Sequence, residues 1–164
     1  MSPTAHFTRL AHAAHRHGGW TLLELMLAVA IVGVLAVIAS GQYTQYRERT
    51  LIVQAVLDIG AIESQIGRFQ ADNRALPATL ADLGAGLPND PWGHPYQYLS
   101  HDDTKGKAGF RKDKRIVPIN TDYDLYSMGK DGGSVPPLTA KVSRDDIVRA
   151  NDGRFIGLVS DFDP

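Results

Sequence analysis

Glu24 is the residue whose chemistry most needs an explanation. It lies in WTLLELMLAVAIVGVLAVIA, residues 20–39, a run that is apolar or glycine apart from Thr21 and Glu24 itself. A helix of roughly 20 residues reaches about 30 Å, the thickness of a bilayer's hydrocarbon core. One that is apolar all round has no face to turn to water. A carboxylate in lipid costs about 3 kcal/mol even on lenient insertion scales, so it should face a partner. The plain alternative is an acid tolerated near the interface. Other reactive residue types lack the spacing that chemistry needs. His94 and His101 have no companion ligands, no serine stands in a nucleophile elbow, and the GAG at 84–86 follows no strand and cannot be a nucleotide loop. No enzyme is expected.

The elements around Glu24 follow from composition and periodicity. Residues 1–19 contain Arg9, Arg16 and histidines including His12, His15 and His17, with no acid and no apolar core of secretory-signal length. Past Ser40 the pattern turns amphipathic. Ile52, Val56, Ile59, Ile62, Ile66 and Phe69 recur at helical spacing, opposite Arg47, Glu48, Asp58, Glu63 and Arg68. One long helix to about residue 72 accounts for both halves, the first in lipid and the second packed on a globular domain. Gly41 and Gly60 weaken it locally, by about 1 kcal/mol each relative to alanine. A capped turn is expected from Thr79, and strands at 96–99, 123–127 and 155–159. Tyr96, Tyr98, Tyr123 and Tyr126 read as sheet-face packing, and Pro91, Trp92, Gly93 and Pro95 as a tight loop against the helix.

Charge and cysteine usage narrow the class. The 164-residue chain is 43% hydrophobic and carries a formal net charge of −1, which gives no electrostatic case for nucleic acid. Loss of Arg9 and Arg16 from the 17 basic residues would leave 15 against 18 acids. Lys105–Arg115 is locally basic and reads as a solvated loop. There is no cysteine, so the long stretch from Gly129 to Arg144 needs some other stabiliser.

GG-WTLLELMLAVAIVGVLAVIA resembles the signature of type IV prepilins and type II secretion pseudopilins. That resemblance implies a leader of residues 1–19 cut after Gly19 by a prepilin peptidase, with N-methylation of Trp20. It makes Glu24 the acid of the fifth mature position, paired with the N-terminal amine of a neighbouring subunit. A buried ammonium and carboxylate are tolerable together and costly apart. Trp20 stands where phenylalanine is usual, and Gly41 where many relatives have proline. The implied organisation is a transmembrane and polymerisation segment at 20–40 and a pilin-like domain at 41–164. The fold class is α+β, a long N-terminal helix packed on a small antiparallel sheet with long C-terminal loops. Arg9 and Arg16 predict a cytoplasmic N-terminus, with the C-terminal domain periplasmic and the anchor in the inner membrane.

NDPWGHPYQYLS, YDLYSMGKDGG and DDI narrow the resemblance to the major pseudopilin of the type II secretion system. The implied function is a filament subunit that partners itself, other pseudopilins and an inner-membrane assembly platform. The resemblance also implies calcium, with carboxylates from Asp131, Asp145 and Asp146, a main-chain carbonyl from Met128, and Gly133 or Ser134 as a further donor. Calcium takes six to eight oxygens in a forgiving geometry, which carboxylates and loop carbonyls can provide. The chain departs from relatives in the insertion SVPPLTAKVSR and in Arg144, where another acid is frequent. The alternative is that these aspartates are ordinary turn residues. Two other functions stay open, a type IV pilus subunit for adhesion or motility and a membrane-anchored calcium-binding module that never polymerises.

Overall fold

A computed structural model describes residues 19–84, 86–102 and 108–163. The leader ahead of Gly19, with His12, His15 and His17, falls outside them, as do Lys105 and Lys107. The chain divides into two compact units, residues 1–42 and 43–164.

The expected helix is present as α1, Leu22–Asn73, 52 residues long. In the first unit its apolar stretch has a mean hydropathy of 2.8 over an 18-residue window and buries none of it, so it is long and apolar enough to cross a membrane. In the second unit the helical spacing does what the sequence predicts. Ala55, Ile59, Ile62 and Ile66 form a fully buried stripe. Beyond the helix, Leu80–Leu83 forms the expected short turn, a 3-10 helix, with Asp82 accepting the Thr79 N–H at 2.8 Å.

Four strands follow: β1 (Gln97–Ser100), β2 (Tyr123–Ser127), β3 (Ile147–Ala150) and β4 (Phe155–Leu158). They form one antiparallel meander in chain order. The expectation omitted β3, the four residues IVRA directly after the DD pair. Its register, with Ile147 opposite Leu158 and Val148 opposite Gly157, fixes which side chains share a face.

Period-two alternation divides the sheet between two cores. Tyr123, Leu125, Ile147, Ile156 and Leu158 turn to one side, where they join Tyr96, Tyr98 and the isoleucine stripe of α1. Tyr126, Val148, Ala150 and Phe155 turn to the other and meet Ile119, Leu138, Val159 and Phe162 from the loops. Tyrosines 96, 98, 123 and 126 are thus packing residues, as expected, though Tyr96 and Tyr98 also donate their hydroxyls to Asp58 Oδ2 and to the Pro77 carbonyl. Burial, and the Asp58 carboxylate beside it, hold the Tyr96 phenol above its ordinary pKa. The NDPWG turn is organised by buried Asp90, whose carboxylate accepts the N–H of Trp92 and of His94 and the hydroxyl of Ser127. Trp92 packs on the helix-side core.

Candidate functional site

The N-terminal constellation is simple in geometry. Gly19 and Trp20 are exposed, and nothing lies within 4 Å of the space a Gly19 side chain would fill. Thr21 and Glu24 form a reciprocal cap. Glu24 Oε2 accepts the Thr21 N–H and hydroxyl, both at 2.9 Å, and Thr21 Oγ1 accepts the Glu24 N–H at 3.2 Å. This is the Thr-x-x-Glu capping box, legible in the sequence as TLLE, and it satisfies amide donors that a helix start otherwise strands. In the single chain Glu24 therefore has a local partner, its own helix terminus.

The loop joining β2 to β3 contains every residue expected to ligate calcium, and the structure spreads their oxygens among other tasks. Asp131 Oδ1 accepts the Gly133 N–H at 2.8 Å. Asp145 Oδ2 accepts the N–H of Lys130 at 3.0 Å and of Asp131 at 3.1 Å. Gly129, at φ +64°, sits so close to the Asp145 carbonyl that any side chain there would collide with it. Asp146 is fully buried, and its Oδ2 accepts the Ser134 hydroxyl at 2.6 Å and a guanidinium N–H of Arg111. Burial pushes the Asp146 carboxyl up to about 6, against the opposing pull of Ser134 and Arg111. Among the described residues, no three His, Asp or Glu side chains gather as a metal-binding group. Met128 and Gly133 lie in the same loop but add no carboxylate. This donor arrangement does not fit a calcium shell.

Arg111 corrects the expectation of a solvated basic loop. Its side chain is only 3% exposed. Its guanidinium bonds Asp146, Ser134 Oγ and the Val135 carbonyl, the last at 2.8 Å, and lies 4.2 Å from the centre of the Tyr126 ring. No local cue marks it, because Arg111 is one cation among several in a basic run.

A second buried guanidinium ties the helix to the sheet. Arg149 of β3 bonds Glu63 Oε1 of α1 at 2.7 Å, and both Asp122 oxygens at 2.8 and 2.9 Å, while stacking 4.1 Å over the Tyr123 ring. Burial works against its charge, but the bonds to Asp122 and Glu63 more than offset it, so its pKa stands above the ordinary value. The available signal was parity, since Arg149 shares the inward face of Ile147 two residues before it. His101 also has surroundings the sequence hid. It stacks on Phe110 and places Nε2 3.3 Å from Asp124 Oδ2.

Comparison with known proteins adds a family match to this geometry. Residues 15–40 match the prokaryotic N-terminal methylation motif, which spans the Gly19–Trp20 junction and Glu24. The type II secretion system core protein G of Pseudomonas aeruginosa is 32% identical over 138 residues, covering 71% of this chain and 86% of that protein. The protein of the same name from Aeromonas hydrophila is 31% identical over 138 residues, covering 71% and 85%. That of Escherichia coli is 30% identical over 141 residues, covering 73% and 86%. No solved structure matches. With a methylation motif at residues 15–40 and this identity over about seven tenths of its length, the chain belongs to the type II secretion system core protein G family.

Proposed function

We propose that this chain is a structural subunit of a type II secretion pseudopilus. It waits in the inner membrane on residues 20–40, N-terminus cytoplasmic and domain periplasmic, and is drawn into a filament that pushes proteins across the outer membrane. Prepilin peptidase removes residues 1–19 and Trp20 is N-methylated. Copies of the chain stack through α1, together with other pseudopilins and an inner-membrane assembly platform.

The observation that carries this reading is a surplus of apolar helix surface. In the second unit, Tyr43, Tyr46, Val53 and Leu57 are 69%, 72%, 57% and 62% exposed. At about 100° per residue these four fall within an arc of roughly 80°, on the side of α1 opposite the buried Ala55, Ile59, Ile62 and Ile66. A helix needs one apolar face to dock on its own sheet, and a second is otherwise a liability in water. Neighbouring copies of α1 supply the cover. The test is Leu57→Asp, assayed by shearing and electron microscopy of filaments from cells carrying the assembly machinery. Monomer melting should stay within about 2 °C of wild type, as for other exposed positions, while filament yield collapses. Normal filaments from this variant would overturn the proposal.

A further inference from the structure

We propose that the Arg111 guanidinium is the built-in cation of the β2–β3 loop, holding it as a bound divalent ion would and leaving the domain independent of calcium. Residues 128–146 form a long excursion in a chain without cysteine, so something must close them. Arg111 reaches in from a separate segment and ties the first half of the excursion to its end. Ser134 and Val135 belong to its first half, and Asp146 is its last residue. A carboxylate, a hydroxyl and a main-chain carbonyl converging on one positive charge is the donor set that a hard cation would attract.

The guanidinium is delivered from a fixed backbone. The Arg111 N–H donates to Asp124 Oδ2 at 2.7 Å, and the Arg111 carbonyl accepts the Ile119 N–H at 3.0 Å. Asp124 is in turn held by Asn120 at 3.0 Å. One residue on, the Lys112 N–H bonds the Pro136 carbonyl and the Lys112 carbonyl accepts the Leu138 N–H, so backbone pairing continues what the side chain begins. A planar fork with several fixed donors suits a divided set of acceptors better than an ammonium does. A divalent ion placed on Asp146 would face the guanidinium at hydrogen-bond range and be repelled. Among the described residues of this loop, the buried carboxylate oxygen left without a partner, Asp146 Oδ1, falls far short of the six to eight oxygens that calcium needs. Asp131 and Asp145 have already given one oxygen each to backbone amides.

The test uses the full-length chain in detergent micelles, melted by near-ultraviolet circular dichroism in saturating calcium chloride and in EGTA. The two midpoints should agree within about 2 °C, because a ligand that is not bound adds nothing to stability. Arg111→Met should lower the midpoint by about 8 °C or more in both buffers and speed tryptic cleavage after Lys141 and Arg144, which are exposed but held in the closed loop. Arg111→Lys should recover only part of that loss. A wild-type midpoint more than about 5 °C higher in calcium, or a calcium-binding isotherm by titration calorimetry, would overturn the proposal. So would an Arg111→Met midpoint equal to wild type. If Arg111→Met does not fold, the wild-type comparison decides alone.

Discussion

Replacing Arg149 with methionine removes a charge while keeping most of the volume, so the response reports the ionic network and not a cavity. The side chain is 4% exposed and holds Glu63 and Asp122, which are 28% and 33% exposed. Breaking a fully buried pair costs about 3–5 kcal/mol, largely because the stranded partner keeps its charge without water. Here both carboxylates retain enough surface to rehydrate, which pulls the expectation down. Loss of the stacking on Tyr123 adds about 0.5–1 kcal/mol back. The net expectation is about 2–4 kcal/mol. At about 4 °C per kcal/mol for a unit of this size, thermal unfolding in micelles should show a midpoint about 8–16 °C lower. A double-mutant cycle with Glu63→Gln should return a coupling of about 1–2 kcal/mol, since the two side chains are in contact. A midpoint within about 3 °C of wild type would refute the assignment of Arg149 as the tie between helix and sheet.

Three further expectations concern processing, assembly and pH. Mass spectrometry of the membrane-extracted protein should show a chain beginning at N-methylated Trp20, and an intact Met1 or Ser2 terminus in peptidase-positive cells would refute cleavage after Gly19. Glu24→Gln keeps a side chain able to accept the Thr21 amide, since glutamine serves in capping boxes, but removes the charge. It should insert normally and fail to enter filaments, whereas normal filament yield would reduce Glu24 to a helix cap. Burial pulls the Asp152 pKa upward, but the two bonds from Thr121 and the charges of Arg149 and Arg154 together outweigh it, so its folded pKa lies below the ordinary value. Its contribution is therefore present above about pH 4 and lost as pH falls through the folded value. Wild type should lose more stability than Asp152→Asn on acidification from about pH 5 to 2, and parallel acid profiles would count against it.

The parts legible in the sequence were those written in local period or local motif. The 20–39 run, the isoleucine stripe at 59, 62 and 66, the β2 strand and the tyrosine packing all depend on near neighbours in the chain. TLLE was readable as a capping box but was overshadowed by the intramembrane acid. What stayed hidden depends on distant partners. Arg111 looked like a surface cation because nothing within ten residues shows that Asp146 waits for it. β3 stays hidden because four residues with a central arginine lack an apolar alternation, and only distant carboxylates, Glu63 86 residues earlier and Asp122 27 residues earlier, make that arginine at home there. The calcium expectation comes from the resemblance alone, and the bonds that Asp131, Asp145 and Asp146 accept from their neighbours depend on a loop closure that the sequence does not display.

The division of the sheet between two cores has a bearing on how the chain is made. β4 and the residues just after it supply both sides, Ile156 and Leu158 toward the helix and Phe155, Val159 and Phe162 toward the loops. These follow α1 and the other three strands in the chain, so synthesis delivers them after the helix. While synthesis proceeds, the helix is already available to the membrane, but Ile59, Ile62 and Ile66 wait for a cover that does not yet exist. The domain is thus completed only after α1 has been made, and a chain cut short before Phe155 would present both apolar surfaces to solvent. Such a product is bait for proteases and chaperones. Placing β4 at the junction of both cores makes its arrival a condition for entering the folded pool.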